Sequence, residues 1–452
     1  MASRNLRQRL AEASLAGRFE FHLGAGLGLA ALGLILFMLS LRGESAHRAW
    51  HLFHVNWVYF TGLCGGSLAL AAVHKITNAK WAGMLVRFAE AAVFFAPVSI
   101  LGLVLIFTVG YDHIYGHMQG ELHGLPHGKA LWLSRPWMFG RLFVGLSLLY
   151  WLGWKLVRTD LTPDLAATKG AATGGRRALA ERWTRDFDGS EGAHERIEHR
   201  LRVLAPIYIV VYALVFTLVA FDGIMALQPH WFSNLLGGWY FMGSFLGAHM
   251  LLALHMIYAG KHLDVEDLIS PKQRHDLGKL CFGFSVFWTY LMWAQFQVIW
   301  YANLPEETGF VFSRLWGPWI PVARAVLLGM FVIPFATLLG VAPKKSRVIL
   351  GAIAVVSLSA LWLERFLLIV PSITEEAGPH LGVAEFAPTA LLLGLFLLTY
   401  ALFARTFPMI SPRLAEITLN RELHHHEVET FDHEDHDEDY VHEADVERKP
   451  KH

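Results

Sequence analysis

Hydrophobic positions along this chain come in long runs separated by short polar stretches, with no alternation of period two. A helix needs about 20 apolar residues to cross the apolar core of a bilayer. Ten runs satisfy this, at 21–41, 50–74, 84–109, 136–157, 203–226, 235–260, 277–302, 316–341, 348–370 and 385–404. Their length and lack of alternation predict helices rather than strands of a barrel. The first run is too long for the apolar part of a secretion signal and has no small-residue cleavage site after it, so it counts as a span. The expected fold class is an all-α integral membrane protein of about ten transmembrane helices. The expected organisation is a segment 1–20, a transmembrane domain 21–410 containing a long connection 158–202, and a tail 411–452. Dense His, Asp and Glu with few apolar residues predict a disordered tail, solvated in preference to its alternative as a weak chelator of divalent metal, and no metal site is expected.

The polar stretches set the orientation. Lys and Arg gather in every second connection: Arg4, Arg7, Arg9 and Arg18 before the first run, Lys75, Lys80 and Arg87 after the second, and Arg158, Lys169, Arg176, Arg177, Arg182 and Arg185 after the fourth. Lys261, Lys272 and Arg274 follow the sixth, and Lys344, Lys345 and Arg347 the eighth. Connections on the other side hold no basic residue after the fifth and ninth runs and only Arg314 after the seventh. The bias toward positive charge on the inner side places both termini in the cytoplasm.

Composition narrows the function. Of 452 residues 54% are hydrophobic and 17% charged, against about 25% charged in soluble domains. The formal net charge of zero offers no basic field for nucleic acid. The two cysteines, Cys64 and Cys281, lie inside apolar runs, which excludes cysteine-ligated iron–sulfur clusters, covalently attached haem and a disulfide framework. His54 and His249 fall toward opposite faces, which disfavours them as an axial haem pair.

Polar residues inside a membrane are costly and mark either pairing networks or function. One layer lies toward the outer face: His51 and His54 in HLFHVNW, Arg141, Asp222 and His230 in FDGIMALQPHWFS, Gln295, Arg324, and the pair Glu364 and Arg365. A structural network and a ligand site or proton path both account for it. An inner layer contains Arg87 and Glu90, His249, and Asp276 with Lys279, groups able to relay protons or, for the interfacial ones, to reach the headgroups. In QFQVIWYANLPEET, Trp300 and Tyr301 suit the membrane boundary, Pro305 is expected to stop the helix, and Asn303, Glu306 and Glu307 form either a solvated turn or a partner contact. The segment 111–129 carries His113, His117, His123 and His127, but glycines at 116, 120, 124 and 128 argue against the helix that paired metal ligands need. A lid or a partner-contacting loop is the expectation there.

The motifs FDGIMALQPHWFS (221–233) and HDLGKLCFGFSVFWTYLMWAQFQVIWYANLPEET (275–308), with KWAGMLVRFAEA (80–91) and ERFLLIVPS (364–372), carry a resemblance. The chain resembles the NrfD-type, polysulfide-reductase-like membrane subunits of quinone-linked oxidoreductases, over roughly residues 48–372. More narrowly it resembles the second of two such subunits in alternative complex III, a quinol-oxidising complex. The resemblance covers Arg87, Glu90, Asp222, Pro229, His230, Trp231, His275, Asp276, Lys279, Gln295, Trp300, Tyr301, Asn303, Pro305, Glu306 and Glu307. Departures are Gly223 where the family often has Trp, Gln228 where it often has an acid, and the lack of an acidic-proline stretch within 111–141.

The resemblance implies two four-helix bundles with one further helix at each end of the chain, in a bacterial inner membrane. It implies a subunit without catalytic residues, metal or covalent cofactor, serving as scaffold with a quinone pocket and proton path. Its partners would be membrane lipids, an iron–sulfur/molybdopterin-like subunit, a second NrfD-type subunit and multihaem cytochrome c subunits. The alternatives are a membrane anchor of a molybdopterin/iron–sulfur oxidoreductase of the polysulfide-reductase type, a secondary transporter, and a purely structural anchor. Transporters concentrate polar groups at broken midplane helices, whereas here they gather toward both faces.

Overall fold

The computed structural model describes residues 9–15, 19–43, 45–79, 83–263, 265–374, 378–380 and 382–415. Among them all regular structure is helical, with no strand. Ten long helices correspond in position to the ten apolar runs: α1 (Glu20–Ser40), α2 (Ser45–Ile76), α3 (Val86–Thr108), α4 (Arg135–Thr168), α5 (Glu191–Gly223), α6 (Leu236–His262), α7 (Pro271–Ala302), α8 (Gly317–Leu338), α9 (Arg347–Ile373) and α10 (Val383–Thr406). Among the described residues eight helices are long and apolar enough to cross a membrane. The other two, α4 and α7, are long enough but carry Trp, Tyr, Arg, Lys and Gln within their apolar stretches.

Helix α2 is the hub and is buried along nearly its whole length. It packs on α3, α5, α6, α9 and α10. Helix α5 also packs on α4 and α6, and α6 on α7 and α9. Helices α1 and α10, the first and last, pack most extensively on each other. Their backbones meet at glycines: a Cβ on Gly33 would lie 2.2 Å from the Leu391 amide nitrogen, and one on Gly394 2.3 Å from that of Ala30. Small residues let membrane helices approach this closely, where dispersion and packing hold them.

Two prolines set local irregularities. Pro97 lacks an N–H, and the turn before it, Ala92–Phe95, tightens to a 3₁₀ helix in which the Ala96 N–H turns to the Val93 carbonyl. The Cys64 thiol donates to the Ala92 carbonyl at 3.1 Å. Pro334 likewise has no N–H for the Met330 carbonyl, and Leu328–Val332 widens to a π turn.

Three expectations change. Helix α4 runs to Thr168, so 158–168, expected within the connection, continues the helix and buries one face, with Asp160, Leu161, Asp164, Leu165 and Thr168 inside. Pro305 does not stop a helix: α7 ends at Ala302 with Asn303 in the left-handed conformation (φ 47°), and Pro305 opens a second helix, Pro305–Leu315, at the position where a missing N–H costs nothing. Residues 411–415 are packed, with Met409, Ile410 and Ser411 buried, so the tail begins later than 411; residues 416–452 lie outside the described residues. The segment 111–132 folds as short helices broken near Gly116 and Gly124.

Candidate functional site

Two ends of the helix array are distinguished by what they hold. The helix Pro305–Leu315 marks the turn end; the first and last described residues lie at the opposite end, called the terminus end, where Arg9 bonds Asp267 and the Met409 N–H bonds the Ser14 carbonyl.

At the turn end, α4 brings Arg141 onto Asp222 of α5. Arg141 Nε donates to Asp222 Oδ2 at 2.7 Å and Nη2 to the other carboxylate oxygen, a two-pronged pair. Arg141 also donates to the Trp132 carbonyl at 2.7 Å and lies over the Trp132 ring. Asp222 is therefore buried and paired. Beside it, Tyr115 donates to the Asp222 carbonyl at 2.9 Å, and His54 Nε2 donates to the Gly223 carbonyl at 2.7 Å. His51 donates to the His113 carbonyl and His117 to the Leu227 carbonyl, both at 2.9 Å. Thus His51, His54, Arg141 and Asp222 are brought together, and they hold the segment 111–132 against α2 and α5. His113 lies with its Nδ1 3.2 Å from that of His47; burial and this neighbour lower the His113 pKa. His230 is exposed, 3.9 Å from Glu121, while the adjacent Trp231 stacks on Phe310 with centroids 3.6 Å apart.

Gln295 and Arg324 belong elsewhere. They line a cavity of about 610 Å³ among α6, α7, α8, α9 and the helix Pro305–Leu315. Its wall is aromatic, from Trp239, Trp288, Trp293, Phe296, Phe310 and Phe331. The π turn of α8 supplies Phe331 and Val332. Five polar side chains reach this wall: Thr289, Gln295, Arg314, Arg324 and Glu364. Glu364 accepts from Trp288 Nε1 at 3.2 Å and pairs with Arg365 at 2.5 Å. Arg314 is buried and pairs with no carboxylate among the described residues; its Nη1 donates to Phe310 O at 2.8 Å and its Nη2 to Leu368 O at 2.6 Å and Ser372 Oγ at 2.5 Å. Among the described residues, three atoms in this wall are buried with neither a hydrogen-bond nor an ion-pair partner: Gln295 Oε1, an acceptor, and Arg314 Nε and Trp239 Nε1, donors. Such atoms cost free energy unless a ligand or water meets them. None of His51, His54, Arg141, Asp222 or His230 lines the cavity, so the expected single outer layer is two separate groups.

Toward the terminus end, Arg87 and Glu90 form the centre of a buried charge cluster. Arg87 pairs with Glu90 and Asp164 and lies 3.2 Å from Asp160. Lys75 bonds Asp160 at 2.7 Å and lies 3.9 Å from Glu90, and Arg413 lies 3.7 Å from Asp160. Ser411 donates to Asp164 at 2.9 Å. Three cations thus face three carboxylates. His249 is separate, donating from Nδ1 to Phe245 O at 2.9 Å and packed on Phe245 and Phe284. Asp276 and Lys279 pair with each other at 2.7 Å near the start of α7. The five expected proton-path residues therefore fall into three groups.

Asn303 caps α7, and Glu306 and Glu307 occupy the first turn of the next helix, where negative charge suits the helix dipole. Sequence reasoning missed Asp160, Asp164, Arg413 and Arg314 as site residues. The signal for the first two was there: acids four apart in DLTPD share one face of a helix. For Arg314 the only signal was a lone basic residue in an aromatic connection, FVFSRLWGPW.

No known protein family model matches the chain. Over 396 residues it is similar, at 21% identity, to a selenate reductase subunit of Mesobacillus selenatarsenatis, an overlap of 82% of this chain and 89% of that protein. The chain is an all-helical, multi-pass membrane protein distantly similar to a subunit of a multi-subunit reductase.

Proposed function

We propose that the chain is the integral membrane subunit of a quinone-linked oxidoreductase and that the cavity among α6, α7, α8 and α9 receives the quinone ring. One observation carries this reading: an apolar, aromatic-walled cavity holds an unpartnered buried acceptor, Gln295 Oε1, and an unpartnered buried donor, Arg314 Nε. A quinol is an apolar ring with an oxygen at each end. Its hydroxyl hydrogen suits the Gln295 oxygen, and its second oxygen suits the arginine N–H. Two buried cysteines give the chain no means of holding an iron–sulfur cluster, so the electron-transfer centres belong to partner subunits.

The similarity to a selenate reductase subunit favours a membrane anchor of an oxidoreductase with an iron–sulfur/molybdopterin-type partner over the alternative complex III reading. A second NrfD-type subunit and multihaem cytochromes c belong to that latter reading. In either case all ten helices cross a bacterial inner membrane as two four-helix groups, α2–α5 and α6–α9, with α1 and α10 beside them. Both termini face the cytoplasm, and the Asn303–Glu307 turn faces the partner subunits outside.

Ala323→Trp fills the cavity from its α8 wall. The expected result is a complex recovered at wild-type yield that binds a quinone analogue at least tenfold more weakly. Unchanged analogue binding would place the quinone elsewhere. Orientation has its own test: Thr308→Cys should react with a membrane-impermeant maleimide in spheroplasts, over a low background because Cys64 and Cys281 are buried. Reaction only after permeabilisation would invert the topology.

A further inference from the structure

Helices α4 and α5 form a second feature that the quinone reading leaves unused. They run antiparallel in direct contact: a Cβ on Gly145 would meet Val215 at 3.3 Å, and one on Gly153 would meet Tyr208 at 3.2 Å. In this register Lys155, Arg158 and Thr159 lie across from His199, Arg200 and Val203. Those residues line a surface hollow of about 560 Å³. It adjoins a second hollow of about 280 Å³ that shares Arg158, Thr159 and Arg200 and adds Arg196 and Trp183. Four cations line the two hollows against one carboxylate, Asp186. Lys155, Arg158 and Arg200 form no ion pair among the described residues. Two of them rest on tryptophans instead: Lys155 Nζ is 3.8 Å from the Trp151 ring centre and the Arg158 guanidinium 5.0 Å from that of Trp183.

Below the cations, the same two helices present exposed apolar side chains at helical spacing. On α4 these are Val144, Leu148 and Trp151; on α5 they are Val203, Ile207, Val210 and Leu214. At 1.5 Å rise per residue, Val144 to Lys155 spans about 16 Å. One leaflet of the apolar core is about 15 Å thick. A concave patch of unpaired cations with tryptophan at its border therefore stands one leaflet above the far end of an apolar furrow. Water satisfies exposed cations without a furrow, and acyl chains fill a furrow without cations. A phosphodiester bearing acyl chains satisfies both.

We propose that the α4–α5 furrow is a binding site for an anionic phospholipid, with the phosphate held by Lys155, Arg158 and Arg200 and the acyl chains laid along Val144–Trp151 and Val203–Leu214. The inference requires only that the chain lie in a membrane, and it stands or falls apart from the quinone cavity.

The test uses the full-length chain reconstituted with phosphatidylglycerol and phosphatidylcholine in equal amounts, extracted in mild detergent and weighed by native mass spectrometry. The expected result is retained phosphatidylglycerol, reduced at least tenfold in Lys155→Gln/Arg158→Gln/Arg200→Gln and kept in the charge-preserving Arg158→Lys/Arg200→Lys. Arg182→Gln/Arg185→Gln removes two exposed cations of the same connection that line neither hollow, and should leave retention unchanged. Equal loss in that control would reduce the site to a general positive face and overturn the proposal. Equal retention of phosphatidylcholine would overturn it too. Excess inorganic phosphate should fail to displace the lipid; full displacement would mean that the cations select free phosphate, and the lipid site would be rejected.

Discussion

The charge cluster around Arg87 and the cavity around Gln295 use similar residues to opposite ends. In the cluster, Lys75, Arg87 and Arg413 meet Glu90, Asp160 and Asp164 within 4 Å, and α2, α3, α4 and residues 411–415 close over them. Its charges are balanced, each within 4 Å of an opposite one, although Arg87 Nε and Arg413 Nε, like Arg314 Nε, have no hydrogen-bond partner among the described residues. In the cavity, among the described residues, Arg314 has no carboxylate and Gln295 Oε1 and Arg314 Nε have no partner, and about 610 Å³ is open. A charge-balanced network fixes one arrangement of helices, whereas a cation with no opposite charge beside open space is free to meet a ligand. Burial alone therefore does not separate structural from functional polar groups in this protein; charge balance and empty volume do.

The comparison breaks most visibly at Arg87. Arg87→Met leaves three buried carboxylates facing two cations, and removing one partner of a buried pair costs about 3–5 kcal/mol. Thermal melting of the purified subunit should shift down sharply and recovery of the complex should fall. Adding Asp164→Asn to that variant should restore part of the loss, because Lys75 and Arg413 then face Glu90 and Asp160 and no charge is left without an opposite one within 4 Å. A mild effect of Arg87→Met would mean that water reaches the cluster.

At Gln295 the expected effect is smaller and of another kind. Gln295→Leu removes a group that has no partner in the protein, so melting should stay within about 1 kcal/mol of wild type. One hydrogen bond to the ligand is worth about 1–1.5 kcal/mol, so a quinone analogue should bind roughly 5- to 12-fold more weakly. A large stability loss with unchanged binding would make Gln295 a structural residue after all.

The smallest effect concerns the segment 111–132. His113 has a pKa lowered by burial and by His47, so its neutral form is the one the fold favours. Below the ordinary histidine value of about 6.5 the unfolded segment binds the proton more readily than the folded one, and the segment loses hold as pH falls. Limited proteolysis between residues 111 and 132 should be faster at pH 5.5 than at pH 7.5. A pH-independent rate would show that the His51 and His117 bonds to the backbone carry the attachment alone.

Much of the fold was legible because the membrane imposes length. Runs such as 235–260 and 348–370 match α6 and α9 within a few residues, since no other structure satisfies an apolar backbone of that length. The pairing of polar residues was less legible. Asp222 and Arg141 are 81 positions apart, and Glu364 and Trp288 are 76 apart; hydropathy says that both members are buried and nothing about which meets which. Gln295 and Asp222 both lie toward the turn end, yet depth along the membrane normal does not say on which side of α6 each group stands. Asp160 and Asp164 were hidden by a boundary: charge-rich sequence after residue 157 looks like a loop, and only the packing of 411–415 across it makes it interior.

Gly33 and Gly394 make the contact of α1 with α10 one that nothing else in the chain can supply, and they place its two halves about 360 residues apart. During synthesis at about 5–20 residues per second, α1 enters the membrane roughly 20–70 s before its partner emerges. For that interval its glycine furrow is open to lipid and to any other small-faced helix nearby. The last helix is then the step that completes the subunit. A chain released before residue 383 would carry α2 to α9 with the glycine face of α1 unmated.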